Sequence, residues 1–207
     1  MKKLSRRQVV LGLGAAGSAA FLPSLAAEKK KIAAIKPGSY PTCTLTPEQT
    51  EGPFYFDTKF IRQDITEGKE GTPLYLKLKV VDAGSCEPIR DAVVDIWSCD
   101  AVGEYSGFDT ARGASRRGRD NEKTFLRGAQ VTNADGEVEF KTIYPGWYQG
   151  RATHIHIKVY LDNDEVLTSQ MYFPEDINER IYQGPVYAEH EGNRLRNDDD
   201  GIFRRAK

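Results

Sequence analysis

Strict alternation of apolar and polar side chains, recurring in three separated stretches, limits the possible folds of this 207-residue chain more than any other feature. Leu74-Tyr-Leu-Lys-Leu-Lys-Val-Val81, Val138-Glu-Phe-Lys-Thr-Ile143 and His154-Ile-His-Ile-Lys-Val-Tyr160 each send successive side chains to opposite sides. That period belongs to a strand with one face toward a core, not to a helix. Ala92-Val-Val-Asp-Ile-Trp97 and Val166–Phe173 read as two more strands. Turn signals separate the segments: Asp82–Asp91, Asn133-Ala-Asp-Gly136, Pro145-Gly146 and Asp162-Asn-Asp164. Only Pro174–Gln183 has helical character. The expected fold is therefore mainly β, an antiparallel β-sandwich with long loops. Tyr105–Phe125 is one such loop, and ordered loops of that length are uncommon unless they serve a function.

The N-terminal 27 residues are of another kind. Met1–Arg7 is basic, Val9–Phe21 is apolar but rich in Gly and Ala, and Ser24-Leu-Ala26 supplies small residues where a signal peptidase reads. Residues 1–27 are thus read as a secretory signal cleaved near Ala26 or Ala27. Arg6-Arg7, after Ser5 and before a mildly hydrophobic stretch, is similar to a twin-arginine signal, the route that exports proteins already folded. A metal can then be loaded before release. The competing reading is a retained anchor, but the Gly content and Pro23 make a poor membrane helix, so no stable span is expected once the signal is removed. Residues 28–42 are a linker, Lys-rich over Glu28–Lys36, and residues 43–207 are the domain, with a periplasmic or extracellular location expected.

The signal holds Lys2, Lys3, Arg6 and Arg7 and no acid, which leaves 25 basic against 30 acidic side chains in the rest, a balance of −5. Such a body argues against nucleic acid, whose phosphates need clustered positive charge. The basic run Arg112-Gly-Ala-Ser-Arg-Arg-Gly-Arg119 reads as a solvated loop, the alternative being a patch that steers an anionic ligand. Three cysteines, Cys43, Cys86 and Cys99, leave at least one thiol unpaired. Cys86 and Cys99 are nearest in sequence, yet in a plain hairpin they sit at opposite ends, beyond disulfide reach. The pairing stays open.

His154 and His156 share one strand face while Ile155 and Ile157 share the other, and two imidazoles on one face can chelate a metal. Arg151 stands three residues upstream, and Tyr148 follows a Pro-Gly corner. With Leu45-Thr-Pro-Glu-Gln-Thr-Glu-Gly-Pro-Phe-Tyr55, Asp95-Ile-Trp97 followed by Gly103-Glu-Tyr105, Pro145-Gly-Trp-Tyr148 and Arg151-Ala-Thr-His-Ile-His156, all in this order, the chain resembles the intradiol ring-cleavage dioxygenases, of protocatechuate 3,4- and catechol 1,2-dioxygenase type.

The resemblance implies a prealbumin-like sandwich carrying non-haem mononuclear Fe(III), with O2 as co-substrate and a catechol-type small molecule as substrate, opened between its hydroxyl carbons to a cis,cis-muconate type product. The implied metal ligands are Tyr105, Tyr148, His154 and His156, with Tyr148 the one that leaves when catechol enters. Arg151 is implied to stabilise negative charge on the substrate, Gln170 to lie beside it, and Gly52 and Pro53 to line its pocket. The chemistry of the donor set agrees, because ferric iron is a hard acid that suits anionic oxygen. An oligomer is expected, homo- or heteromeric. The alternative is a non-catalytic extracytoplasmic sandwich module that binds an aromatic ligand or a surface partner. No pair of carboxylates is singled out by spacing, no phosphate loop or Gly-x-Ser-x-Gly elbow occurs, Asn197-Asp-Asp-Asp200 reads as solvated tail, and His190 reads as solvated.

Overall fold

The computed structural model describes residues 9–12, 43–109, 119–188 and 190–206. The rest of the signal, the linker before Cys43 and residues 112–118 of the arginine run lie outside the described residues. Among the described residues seven strands occur in chain order: β1 (Val9–Gly12), β2 (Pro73–Asp82), β3 (Val93–Trp97), β4 (Arg127–Val131), β5 (Glu137–Ile143), β6 (His154–Leu161) and β7 (Asp164–Tyr172). They form two antiparallel sheets, β1-β2-β5 and β4-β3-β6-β7. Helices are short and C-terminal: α1 (Glu175–Ile181), α2 (Pro185–Ala188) and α3 (Gly201–Arg205). Among the described residues no helix is long and apolar enough to cross a membrane.

The period-two pattern builds the core. Leu76, Leu78 and Val80 of β2 and Val138 and Phe140 of β5 meet Val94 and Ile96 of β3 and Ile155, Ile157 and Val159 of β6. Their polar neighbours, such as Lys77 and Glu139, face out and pair with each other across the sheet. Strand β6 departs from this scheme because both of its faces are buried: His154, His156 and Lys158 are as inaccessible as the isoleucines behind them. Their cover is the segment from Glu48 to Phe56, anchored by Gln49 N donating to the Thr168 carbonyl (2.9 Å) and by Ser169 Oγ donating to the Pro47 carbonyl (2.8 Å).

The sequence pattern identifies β2, β3, β5, β6 and β7 but not β1 or β4. Val9–Gly12 lies inside the apolar stretch read as a signal, and here it runs along Lys79–Asp82 as an edge strand. Strand β4, Arg-Gly-Ala-Gln-Val, has one β-branched residue and no alternation, and its place comes from pairing with β3 instead. Cys43 pairs with Cys86, with Cα atoms 5.8 Å apart, tying the start of the domain to the β2–β3 turn, while Cys99 is free and buried.

Candidate metal centre

The register of the four-stranded sheet lays out the outer-face platform. Arg127 is opposite Trp97, Trp97 opposite His156, and His156 opposite Gln170, while His154 is opposite Tyr172. Trp97 lies flat on the His156 imidazole, with centroids 4.7 Å apart and planes 5° from parallel. Gly52 also approaches this ring, since a Cβ there would come within 3.4 Å of His156 Cε1. Pro53 beside it is exposed, at the rim.

The tyrosines come from two loops that interlock backbone to backbone. A Cβ on Gly103 would sit 2.3 Å from the Trp147 carbonyl oxygen, and one on Gly146 would sit 2.4 Å from that of Ala101. Only glycine permits this approach, and Gly103 also holds a φ of +85°. Gly146 N donates to the Asp100 carbonyl (2.9 Å), and Asp100 Oδ1 accepts from the amides of Val102 and Glu104. The interlock brings the Tyr105 and Tyr148 rings to 5.7 Å, and Tyr148 to 5.7 Å from His154.

The donor atoms of His154, His156 and Tyr105 converge beside the Tyr148 ring. His154 Nε2 and His156 Nε2 are 3.1 Å apart, and Tyr105 Oη is 3.4 Å from His154 Nε2. Ligands about 2.1 Å from a shared metal are separated by roughly 3.0–3.4 Å, so these spacings are those of one coordination shell. His154 Nδ1 donates to the Ala152 carbonyl (2.7 Å), which fixes the tautomer and leaves the Nε2 lone pair facing the cluster. Burial and the Arg151 charge push the His154 pKa down to about 3, and burial with the neighbouring His154 holds His156 well below the ordinary range, so both rings are neutral. Burial raises both phenols, Tyr105 above all, so they ionise only beside a cation. Two neutral imidazoles and two phenols made acidic by the ion fit a hard trivalent metal. Tyr105 is 2% exposed whereas Tyr148 is half-buried, so the two differ in freedom to move.

Arg151 borders the cluster. Its Nη1 is 3.4 Å from both Tyr148 Oη and His154 Nε2, and its Nη2 donates to Gln170 Oε1 and to Tyr172 Oη (3.2 Å). Gln170 spans the gap by donating through Nε2 to the Thr50 carbonyl (2.8 Å). All the residues singled out from the sequence are thus in or around one cluster, Pro53 at its rim.

Two readings need correction. Asp200 is no solvated tail: it is 1% exposed, and its Oδ2 accepts from Arg151 Nε (3.0 Å) and Ala152 N (2.9 Å). The signal was the N-cap position before Gly201-Ile-Phe, since Oδ1 also accepts from Ile202 N and Phe203 N. His190 is likewise packed, its ring 4.2 Å from that of Trp147 and its Nε2 2.8 Å from the Trp147 carbonyl oxygen. Sequence reasoning also missed Arg127, which is 1% exposed behind Tyr105 with Nε and Nη2 donating to Ser106 Oγ and its carbonyl. A lone arginine in an unrecognised strand gave no signal.

A β-sandwich that gathers two buried histidines, a buried tyrosine and a half-buried one on the outer face of one sheet presents a donor set suited to a single metal ion. The family model described as "Dioxygenase" matches residues 50–190. A catechol 1,2-dioxygenase of Acinetobacter lwoffii is 29% identical over 154 residues, covering 63% of this chain and 47% of that protein. The protocatechuate 3,4-dioxygenase beta chain of Burkholderia cepacia is 31% identical over 143 residues, covering 60% and 58%. The matches therefore span about half the length of these relatives. The solved intradiol ring-cleavage dioxygenase of Tetranychus urticae superposes with a TM-score of 0.76 at 36% identity, covering 79% of this chain and 83% of that one. The chain belongs to the intradiol dioxygenase family.

Proposed function

We propose that the protein is an exported, iron(III)-dependent intradiol dioxygenase that opens a catechol-type ring between its two hydroxyl carbons. Both atoms of O2 enter a cis,cis-muconate type dicarboxylate. The observation that carries this reading is the convergence of Tyr105, His154 and His156 on one buried point beside Tyr148, with an arginine at its edge. Bound there, ferric iron would supply a Lewis acid that withdraws charge from the catechol oxygens.

The chain's own residues set the rest of the chemistry. Tyr105 is buried and stacked on Phe54 with centroids 4.5 Å apart, and it would serve as the fixed ligand. Tyr148, more exposed than Tyr105, would be the ligand more easily exchanged, and its Oη is the group that would take a catechol proton. Arg151 Nη1 points at the place where the ring would lie, and a fixed cation there stabilises carbanion character as the ring ketonises. Gln170 and Gly52 orient and enclose the substrate, and Pro53 forms the rigid rim.

Export is supported by the twin-arginine-like leader and by the Cys43–Cys86 disulfide, a bond typical of oxidising compartments. Removal of the leader would take β1 with it and make β2 an edge, one guarded by Lys77 and Lys79. The assay is oxygen uptake by the ferric protein with a panel of catechols, with the product identified by mass. Uptake of one O2 per catechol with a gain of both atoms is expected, and no uptake with any catechol would refute the reading. The panel also identifies the preferred ring.

A further inference from the structure

We propose that Asp200 is a positioning residue of this site, holding the Arg151 guanidinium against the reaction centre from the C-terminal segment. The inference rests on the functional reading above, but the residue lies outside the stretch that the family model matches, residues 50–190.

An arginine is long and flexible, and ordering it costs rotamer entropy. Here the cost is met before substrate arrives. Asp200 is buried, and its carboxylate takes four donors from two segments, Arg151-Ala152 and Ile202-Phe203. Oδ2 takes Arg151 Nε (3.0 Å) and Ala152 N (2.9 Å), and Oδ1 takes Ile202 N (2.7 Å) and Phe203 N (3.3 Å). The carboxylate thus caps α3 and at once grips the edge of Arg151 farthest from the cluster. That grip leaves Nη1 and Nη2 for the site, where Nη1 makes only long contacts of 3.4 Å to Tyr148 and His154 and so has donor capacity to spare.

The arrangement is also an electrostatic counterweight. A guanidinium beside a bound metal cation would be repelled from the place where it is needed, and Asp200 would offset that repulsion from behind. The segment is itself anchored, by Phe203 packed edge-on to Tyr172 (4.9 Å) and by Gln49 Nε2 donating to the Ile202 carbonyl (3.2 Å). A displaced Asp200 would loosen Arg151, and its carboxylate bonds none of the four candidate donor side chains itself.

Two substitutions separate this role from helix capping, because Ser and Asn cap a helix as well as Asp does. In the full-length ferric enzyme, Asp200→Ser and Asp200→Asn are expected to lower kcat by about 10–100-fold, with KM for catechol within about threefold and the visible ferric band unmoved. Arg151→Lys should be slow by itself, and adding Asp200→Ser to it should cost less than about twofold more, since both act through one group. Metal-free protein gives an independent readout by NMR. The Arg151 Nε–H signal, assigned by its loss in Arg151→Lys, should be slow to exchange in the wild type and fast in Asp200→Ser. Should both Asp200 variants unfold, Asp200→Glu, which moves the charge by one methylene, must still lower kcat. Wild-type kcat in a folded variant, multiplicative losses in the double variant, or an unaltered Nε–H signal would overturn the proposal. A wild type without colour or turnover would instead refute the dioxygenase reading, and the metal-free signal would still decide the role of Asp200.

Discussion

Replacing Asp95 by Asn should make the protein more stable at pH 8, relative to wild type, than at pH 5. Asp95 lies on β3 two residues before Trp97 and is 7% exposed. Its Oδ2 accepts from Tyr55 Oη (3.1 Å), which is itself 3.0 Å from Tyr160 Oη. Burial raises the carboxyl to about 7, and the Tyr55 hydrogen bond and the charges of Arg127 and Lys158 reduce that rise without cancelling it. Unfolded, the same group titrates near pH ~3.9. Because the folded pKa is the higher one, the native state keeps a proton that the unfolded state has released between about pH 4 and 7, so stability falls as pH rises through that window. From pH 5 to pH 8 the loss from this group is about 2–3 kcal/mol, at about 1.4 kcal/mol per unit. Asparagine has the same shape and no charge to desolvate. The assay is urea unfolding of both proteins at the two pH values, which cancels all other titrating groups. A wild-type-minus-variant difference that changes by less than ~0.5 kcal/mol between pH 5 and 8, or that changes in the opposite sense, would refute the assignment of a buried, protonated Asp95.

Opening the disulfide, by Cys86→Ser or by reductant, should cost about 4 kcal/mol for a closed loop with sequence separation 43, read as a lowered urea midpoint. Cutting Trp97 to Leu removes the plate that holds His156, and ferric affinity measured by chelator competition should fall about 10–100-fold, as for other groups that orient a ligand. Gly103→Ala forces a methyl within 2.3 Å of the Trp147 carbonyl oxygen, so the two tyrosine loops must separate, and a melting temperature equal to wild type would count against the interlock.

The sandwich was legible because its core strands obey the two-residue period: Leu76, Leu78 and Val80 cannot all be buried in any other backbone. Strand β4 was not, since Arg127-Gly-Ala-Gln carries no such pattern and owes its conformation to β3. The candidate donors were legible for two reasons of unequal reach. The spacing of His154 and His156 gives a shared face directly, whereas Tyr105 and Tyr148 meet only through loops held by Gly103 and Gly146, and no local rule announces that. Asp200 was hidden by its own neighbours: in a run of acidic residues one carboxylate turned inward has the same composition as three turned outward. Its Asn-Asp-Asp companions are indeed more exposed.

The central claim is that Tyr105 and Tyr148 share one ferric ion with His154 and His156, and the visible spectrum tests it most directly. The purified protein loaded with ferric iron should show a phenolate-to-iron charge-transfer band that weakens in Tyr105→Phe and in Tyr148→Phe and shifts on anaerobic addition of catechol. A wild type that stays colourless after ferric loading, or a band that neither substitution alters, would contradict the account.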